Sequence, residues 1–207
     1  MTPPIQREPV GSPSFSDEIV SRRVFTTPNI ISFARLLLVP VFVGLFVTGR
    51  DWPALIVLFV LGNTDWVDGY VARRTGQVSE LGKILDPISD RIAIVAVMLS
   101  LLFRNLVPLG VAGVILLREA LVAVAFGVLE ARGAPRIPVN RVGKAATLAI
   151  FLGMGGLVIG VVIPGSVGEN VNMISIGLLV FGAVLYWVAT ALYFVELRKQ
   201  LMARRTA

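Results

Sequence analysis

The sequence has 207 residues, 56% of them hydrophobic and only 15% charged, with a net charge of +6. Soluble domains carry about 45–50% apolar and about 25% charged residues, so this balance points to a membrane protein. The absence of histidine and cysteine excludes disulfides, thiolate zinc sites, Ser-His triads and haem ligation; any metal falls to oxygen donors, and acid–base work to carboxylates, Lys or Tyr.

The first 16 residues are rich in Pro and Ser and lack the apolar core of a signal peptide, so they read as a polar tail. Residues 17–25 mix charges with Ile19, Val20, Val24 and Phe25, which predicts a short interfacial helix. Six apolar runs follow, at 29–48, 53–71, 84–103, 107–129, 142–163 and 171–195, each close to the ~20 residues that a bilayer requires. The predicted fold is therefore all-α. An N-terminal tail and interfacial segment (1–27) leads into a six-helix transmembrane domain (28–197) and a basic tail (198–207).

Lys and Arg are distributed unevenly around these runs. With six spans both termini share a side, and only Arg50 and Arg104 fall on the other. The positive-inside bias then places both termini, and the site described next, at the cytoplasmic side of the cell membrane. Because the cations flank apolar spans instead of forming one stripe, the charge reads as topology and lipid contact, not nucleic-acid binding. Arg35, Arg91 and Arg118 lie within spans. An arginine at that depth costs at least ~2.5 kcal/mol on insertion scales, so each should face the bundle interior. Arg118 is expected to face a polar cavity and not to pair with Glu119, since adjacent residues on a helix point apart.

The densest polar chemistry runs from Asp65 to Asp90, across the end of span two and the start of span three. Asp65 and Asp68 share one helix face, and Asp86 and Asp90 share another. A short turn joins the two helices, so the pairs can meet. Four carboxylates in one low-dielectric pocket repel unless some are protonated or cations compensate. Two divalent ions would balance them, and such a pair can clamp both oxygens of a phosphoryl displacement. Gly69 and Gly82 allow close approach of a bulky ligand, Ala72 is small, and Arg73 offers a planar fork for phosphate. Pro87 is expected in the first turn of span three, where it is tolerated.

The string Asp65, Asp68, Gly69, Ala72, Arg73, Gly82, Asp86, Asp90, at these spacings, resembles the signature of the CDP-alcohol phosphatidyltransferase family at every fixed position. Residues 28–35, Arg118-Glu119 and Gly143-Lys144 also resemble elements of its bacterial glycerophospholipid branch. The resemblance implies six transmembrane helices, a homodimer, and transfer of a phosphatidyl group from CDP-diacylglycerol to an alcohol with release of CMP. It implies that Asp65, Asp68, Asp86 and Asp90 hold magnesium or manganese, and that Asp90 is the general base. It further implies that Gly69, Ala72, Arg73 and Gly82 line the CDP-lipid site.

Arg35, Arg118, Arg141 and Lys144 would form a cationic pocket near the aspartates, suited to a phosphate-bearing acceptor. Glycerol 3-phosphate is the first expectation, making the chain a phosphatidylglycerophosphate synthase. Phosphatidylglycerol, giving cardiolipin, is the alternative. Phosphatidylglycerophosphate synthases typically follow Gly-Lys with a second lysine and a glutamine, whereas this chain continues Ala145-Ala146-Thr147 and carries Arg91 where a lysine is common. A more apolar fifth span suits a lipid acceptor. An ion-coupled transporter is a remote alternative, disfavoured because the carboxylates cluster at one face and no second copy of the segment exists. A non-catalytic scaffold would not need an undegraded signature.

Overall fold

The computed structural model describes the backbone of residues 27–75, 80–131 and 141–205, and the side chains of 33–63, 88–125, 127–128 and 141–195. Among the described residues all regular structure is helical. Six helices follow in order: α1 Thr27–Val47, α2 Asp51–Thr75, α3 Glu80–Phe103, α4 Leu109–Ala131, α5 Arg141–Val162 and α6 Ser166–Arg205. The predicted interfacial helix at 17–25 lies outside the described residues.

Three connections turn the chain at one end of the bundle, each through a residue of left-handed backbone conformation: Gly49 (φ 77°), Asn105 (φ 57°) and Gly165 (φ 76°). The first two build the same cap. Arg50 N–H donates to the Leu45 carbonyl (2.9 Å) and Leu106 N–H to the Leu101 carbonyl (3.0 Å), while Gly49 and Asn105 N–H donate to Phe46 and Leu102. These are Schellman motifs, which satisfy carbonyls otherwise orphaned at a helix end. Arg104 ties the two turns together: it forms an ion pair with Asp51, donates to the Phe46 carbonyl at 3.3 Å and lies 4.4 Å above the Phe46 ring. α1, α2 and α3 are thus pinned at the end opposite Arg35 and Asp90.

The core is a continuous apolar cluster. Phe42 and Phe46 of α1 stack at 5.4 Å, with Met98, Leu101, Ile115, Ile150, Leu157 and Leu179 fully buried around them. The outer surface is also apolar: Phe59 and Phe103 are each 70% exposed and Leu109 72%. Water would penalise such a surface, whereas lipid does not. α5 and Ser166–Val195 of α6 are each long and apolar enough to cross a bilayer; Phe33–Val47 and Asp51–Asn63 are shorter apolar stretches. Hydroxyls within the helices are satisfied locally, Ser100 donating to Ala96, Ser175 to Val171 and Thr190 to Tyr186. Such internal pairing is what an apolar solvent demands.

Several boundaries differ from expectation: α2 runs on to Thr75, past the expected end at 71, and α6 already starts at Ser166 where 171 was expected. α3 starts at Glu80, so Asp86 and Pro87 do not lie in its first turn. α6 runs unbroken through Arg205, because 198–205 holds only good helix formers and no Gly or Pro.

α5 and α6 pack most closely, along a seam of small residues. A Cβ added at Gly156 would overlap the Ser175 side chain, and one at Gly160 the Asn172 side chain. One at Gly168 would overlap the Ile163 carbonyl oxygen and stand 2.6 Å from that of Gly160. Backbone oxygens cannot swing aside. Gly168→Ala is therefore expected to destabilise by about 1–3 kcal/mol, seen as a lower thermal midpoint in detergent. Gly177→Ala, with nothing within 4 Å of the new Cβ, is the control and should leave the midpoint unchanged or slightly raised.

Candidate active site

Arg35 lies two turns into α1 and is 2% exposed. Its Nη1 donates to Oδ1 of Asp90 on α3 at 2.5 Å, and Asp90 itself stays 40% exposed. The pair compensates the charge of an arginine buried in an apolar bundle. It also holds one oxygen of Asp90 in a fixed direction.

Asp90 and Arg35 border a cavity of about 250 Å³. α2 supplies Leu55, Leu58, Phe59 and Asn63 to its walls, α3 supplies Ala93, Ile94 and Val97, and α5 supplies residues from Phe151 to Ile159. From Phe151 to Ile159 the α5 wall is roughly 12 Å long by helix rise. The polar groups Arg35, Asn63 and Asp90 join an otherwise apolar lining. Asn63 donates through Nδ2 to the Phe59 carbonyl at 2.7 Å. Asp65 follows Asn63 by two residues on α2, so the acidic stretch of α2 begins where α2 leaves the cavity that Asp90 borders.

Asp65, Asp68, Gly69, Ala72 and Arg73 belong to α2, and Gly82 and Asp86 to α3. Their side chains lie outside the described residues. Among the described residues, no three carboxylates gather as a metal group. The donor chemistry nonetheless fits a hard divalent cation. The chain has no histidine or cysteine, and Asp90 presents a partly exposed carboxylate at the polar margin of the cavity.

A second polar cluster joins α3, α4 and α6. Glu119 is 4% exposed. Its Oε1 accepts from Arg118 Nη1 at 2.9 Å and its Oε2 from Arg91 Nη1 at 3.3 Å. Arg118 also donates through Nε to Thr190 Oγ1 at 3.1 Å, and its guanidinium lies 3.8 Å above the Tyr186 ring. The expectation that Arg118 would not pair with Glu119 is thus corrected. The rule for adjacent residues concerns Cβ directions, and a long guanidinium arm anchored on Thr190 and Tyr186 curls back to its neighbour. Sequence reasoning also missed Glu119 as the bridge between two arginines. Its one signal was an acid flanked in the apolar runs by unpaired cations. Of the other two expected acceptor residues, Arg141 and Lys144 occupy the first turn of α5 and are exposed.

The sequence profile of the CDP-alcohol phosphatidyltransferase family matches residues 25–195. A protein named cardiolipin synthase (CMP-forming) from Streptomyces coelicolor is 37% identical over 189 residues, covering 87% of this chain and 86% of its own. A putative cardiolipin synthase from Mycobacterium tuberculosis is 37% identical over 144 residues, 69% of this chain and 68% of its own. A CDP-diacylglycerol–glycerol-3-phosphate 3-phosphatidyltransferase from Bacillus subtilis is 32% identical over 151 residues, 66% of this chain and 78% of its own.

Proposed function

The chain belongs to the CDP-alcohol phosphatidyltransferase family, and from that premise we propose that it transfers the phosphatidyl group of CDP-diacylglycerol to phosphatidylglycerol, forming cardiolipin and CMP. The observation that carries this reading is the apolar cavity, roughly 12 Å long on its α5 wall, that leads away from Asp90 and Arg35. A wall of that length and character suits acyl chains whose headgroups meet at Asp90.

In the proposed reaction Asp90 accepts the proton of the acceptor hydroxyl. The freed oxygen attacks the lipid-linked phosphorus, and the bond to the CMP oxygen breaks. Arg35 holds Asp90 at 2.5 Å so that the base is aimed. Arg73 stabilises charge building on the leaving CMP, and Gly69, Ala72 and Gly82 admit the nucleotide close to the helix backbones. Magnesium or manganese, held by Asp65, Asp68, Asp86 and Asp90, would supply electrostatic stabilisation of the pyrophosphate. Arg118, with Arg141 and Lys144 near it in the chain's proposed topology, binds the acceptor phosphate. The apolar outer surface supports a six-span bundle, the Lys and Arg bias of the sequence supports termini and site at the cytoplasmic face, and the family resemblance supports a homodimer.

Glycerol 3-phosphate remains the second reading, favoured by the Bacillus subtilis relative and by exposed Arg141 and Lys144. It is placed below phosphatidylglycerol because the relatives named cardiolipin synthase are more similar, one of them over most of the chain. The chain also lacks the second lysine expected after Lys144. The test is a product assay with purified protein, labelled CDP-diacylglycerol and each acceptor in turn. Labelled cardiolipin from phosphatidylglycerol is the expected product. Phosphatidylglycerophosphate alone would reverse the order, and no lipid product with either acceptor would refute the transfer.

A further inference from the structure

Polar side chains within these helices follow one habit. Thr48, Ser100, Thr147, Ser175 and Thr190 each donate their hydroxyl proton to the carbonyl four residues earlier, at 2.6–3.0 Å. A hydroxyl has one proton, so that bond uses up its donor capacity. Asn63 makes the same bond, Nδ2 to the Phe59 carbonyl at 2.7 Å, but an amide has more to give. A carbonyl only accepts, so the atom facing Phe59 is the nitrogen, and the direction of Oδ1 follows. Among the described residues nothing meets Oδ1 or the second N–H of Asn63.

Place gives this edge its meaning. Asn63 is exposed and lines the cavity that Asp90 and Arg35 border. Those two charged groups hold each other at 2.5 Å. Asn63 is therefore the uncharged polar group that the cavity offers beside the proposed base. An amide edge in an apolar lining costs free energy unless a polar partner meets it. Asn172 also carries an unpaired Oδ1, but that atom is buried against Gly160 in the α5–α6 seam, out of a ligand's reach.

We propose that Asn63 is a specificity-determining residue that reads the second hydroxyl of the acceptor's glycerol unit. Its Oδ1 accepts from the hydroxyl one carbon away from the oxygen that Asp90 deprotonates. The acceptor class is thereby a vicinal diol. This rests on the proposed transfer to a glycerol-bearing acceptor. Phosphatidylglycerol and glycerol 3-phosphate both carry the second hydroxyl, so Asn63 selects the glycerol unit and not its charge.

The test pairs an altered acceptor with an altered protein. Purified enzyme receives CDP-diacylglycerol with phosphatidylglycerol or with phosphatidyl-1,3-propanediol, which keeps the reacting hydroxyl and lacks the second. The kcat/KM ratio of diol to deoxy acceptor is expected to be roughly 10-fold higher in wild type than in Asn63→Leu, the yield of one neutral hydrogen bond. Comparing ratios cancels any intrinsic difference between the two reacting hydroxyls. A structural role for Asn63 would lower both acceptors together, and that unchanged ratio overturns the proposal. Asn63→Ala supplies the same ratio should the leucine variant fail to fold. Wild type that uses both acceptors equally well overturns it without any variant. If glycerol 3-phosphate proves to be the acceptor, the comparison runs against 3-hydroxypropyl phosphate with the same criteria. No lipid product from any of the four acceptors sinks the proposed transfer and this assignment together; product without discrimination sinks this assignment alone.

Discussion

Asp90→Asn is expected to lower kcat about 10³-fold while the protein stays folded and still binds CDP-diacylglycerol. General-base catalysis by a positioned side chain contributes about 10²–10⁴-fold, and an amide cannot take the acceptor's proton. The substitution keeps the shape of the residue and an oxygen that can still accept from Arg35 Nη1, now 2.5 Å from Oδ1. It leaves Arg35 with its charge uncompensated by Asp90. Because Asp90 is 40% exposed, water can reach the pair and soften that loss. CMP release in a single turnover measures the chemical step, and a ligand-induced rise in thermal midpoint reports CDP-lipid binding. Unchanged turnover in the variant would remove Asp90 from the base role.

Chelation of divalent cations is expected to cost at least ~100-fold in rate, with magnesium or manganese restoring it. The argument is electrostatic. Asp65, Asp68, Asp86 and Asp90 fall on two successive helices in a chain with no histidine or cysteine, so hard cations suit the donors available. Four such charges without cations would repel by several kcal/mol in a low-dielectric pocket. The check is an activity titration with EDTA followed by re-addition of each ion. Full activity in excess chelator would contradict a metal-dependent transfer.

Much of the architecture was legible in the sequence because bilayer physics writes it in composition. The six apolar runs overlap the six helices, and their ends differ by a few residues where no breaker marks a boundary. α3 begins at Glu80 although Gly82 is a poor helix former, while α6 absorbs the basic stretch 198–205, which holds no Gly or Pro. The apolar outer surface was legible too, since exposed Phe59, Phe103 and Leu109 all fall within the apolar runs of the sequence. Long-range pairings were not. Arg35 and Asp90 lie 55 residues apart, and Arg91 and Glu119 lie 28 apart. Spacing rules describe neighbours on one helix, so they are silent on which cation crosses to which acid. They also misled at Arg118, where tertiary anchoring by Thr190 and Tyr186 decided the side chain's course. The acidic signature was recognisable as a pattern, but its convergence into one site remains a proposal that follows from α2 and α3 both lining the cavity at Asp90.

That convergence is the claim on which the proposed chemistry stands, and manganese binding followed by electron paramagnetic resonance tests it most directly. Wild-type protein is expected to bind Mn²⁺ saturably, and Asp65→Asn on α2 and Asp90→Asn on α3 should each weaken binding about 10-fold or more, as expected of residues sharing one site. No saturable binding in the wild type, or binding that ignores either substitution, would contradict a single site formed by both helices.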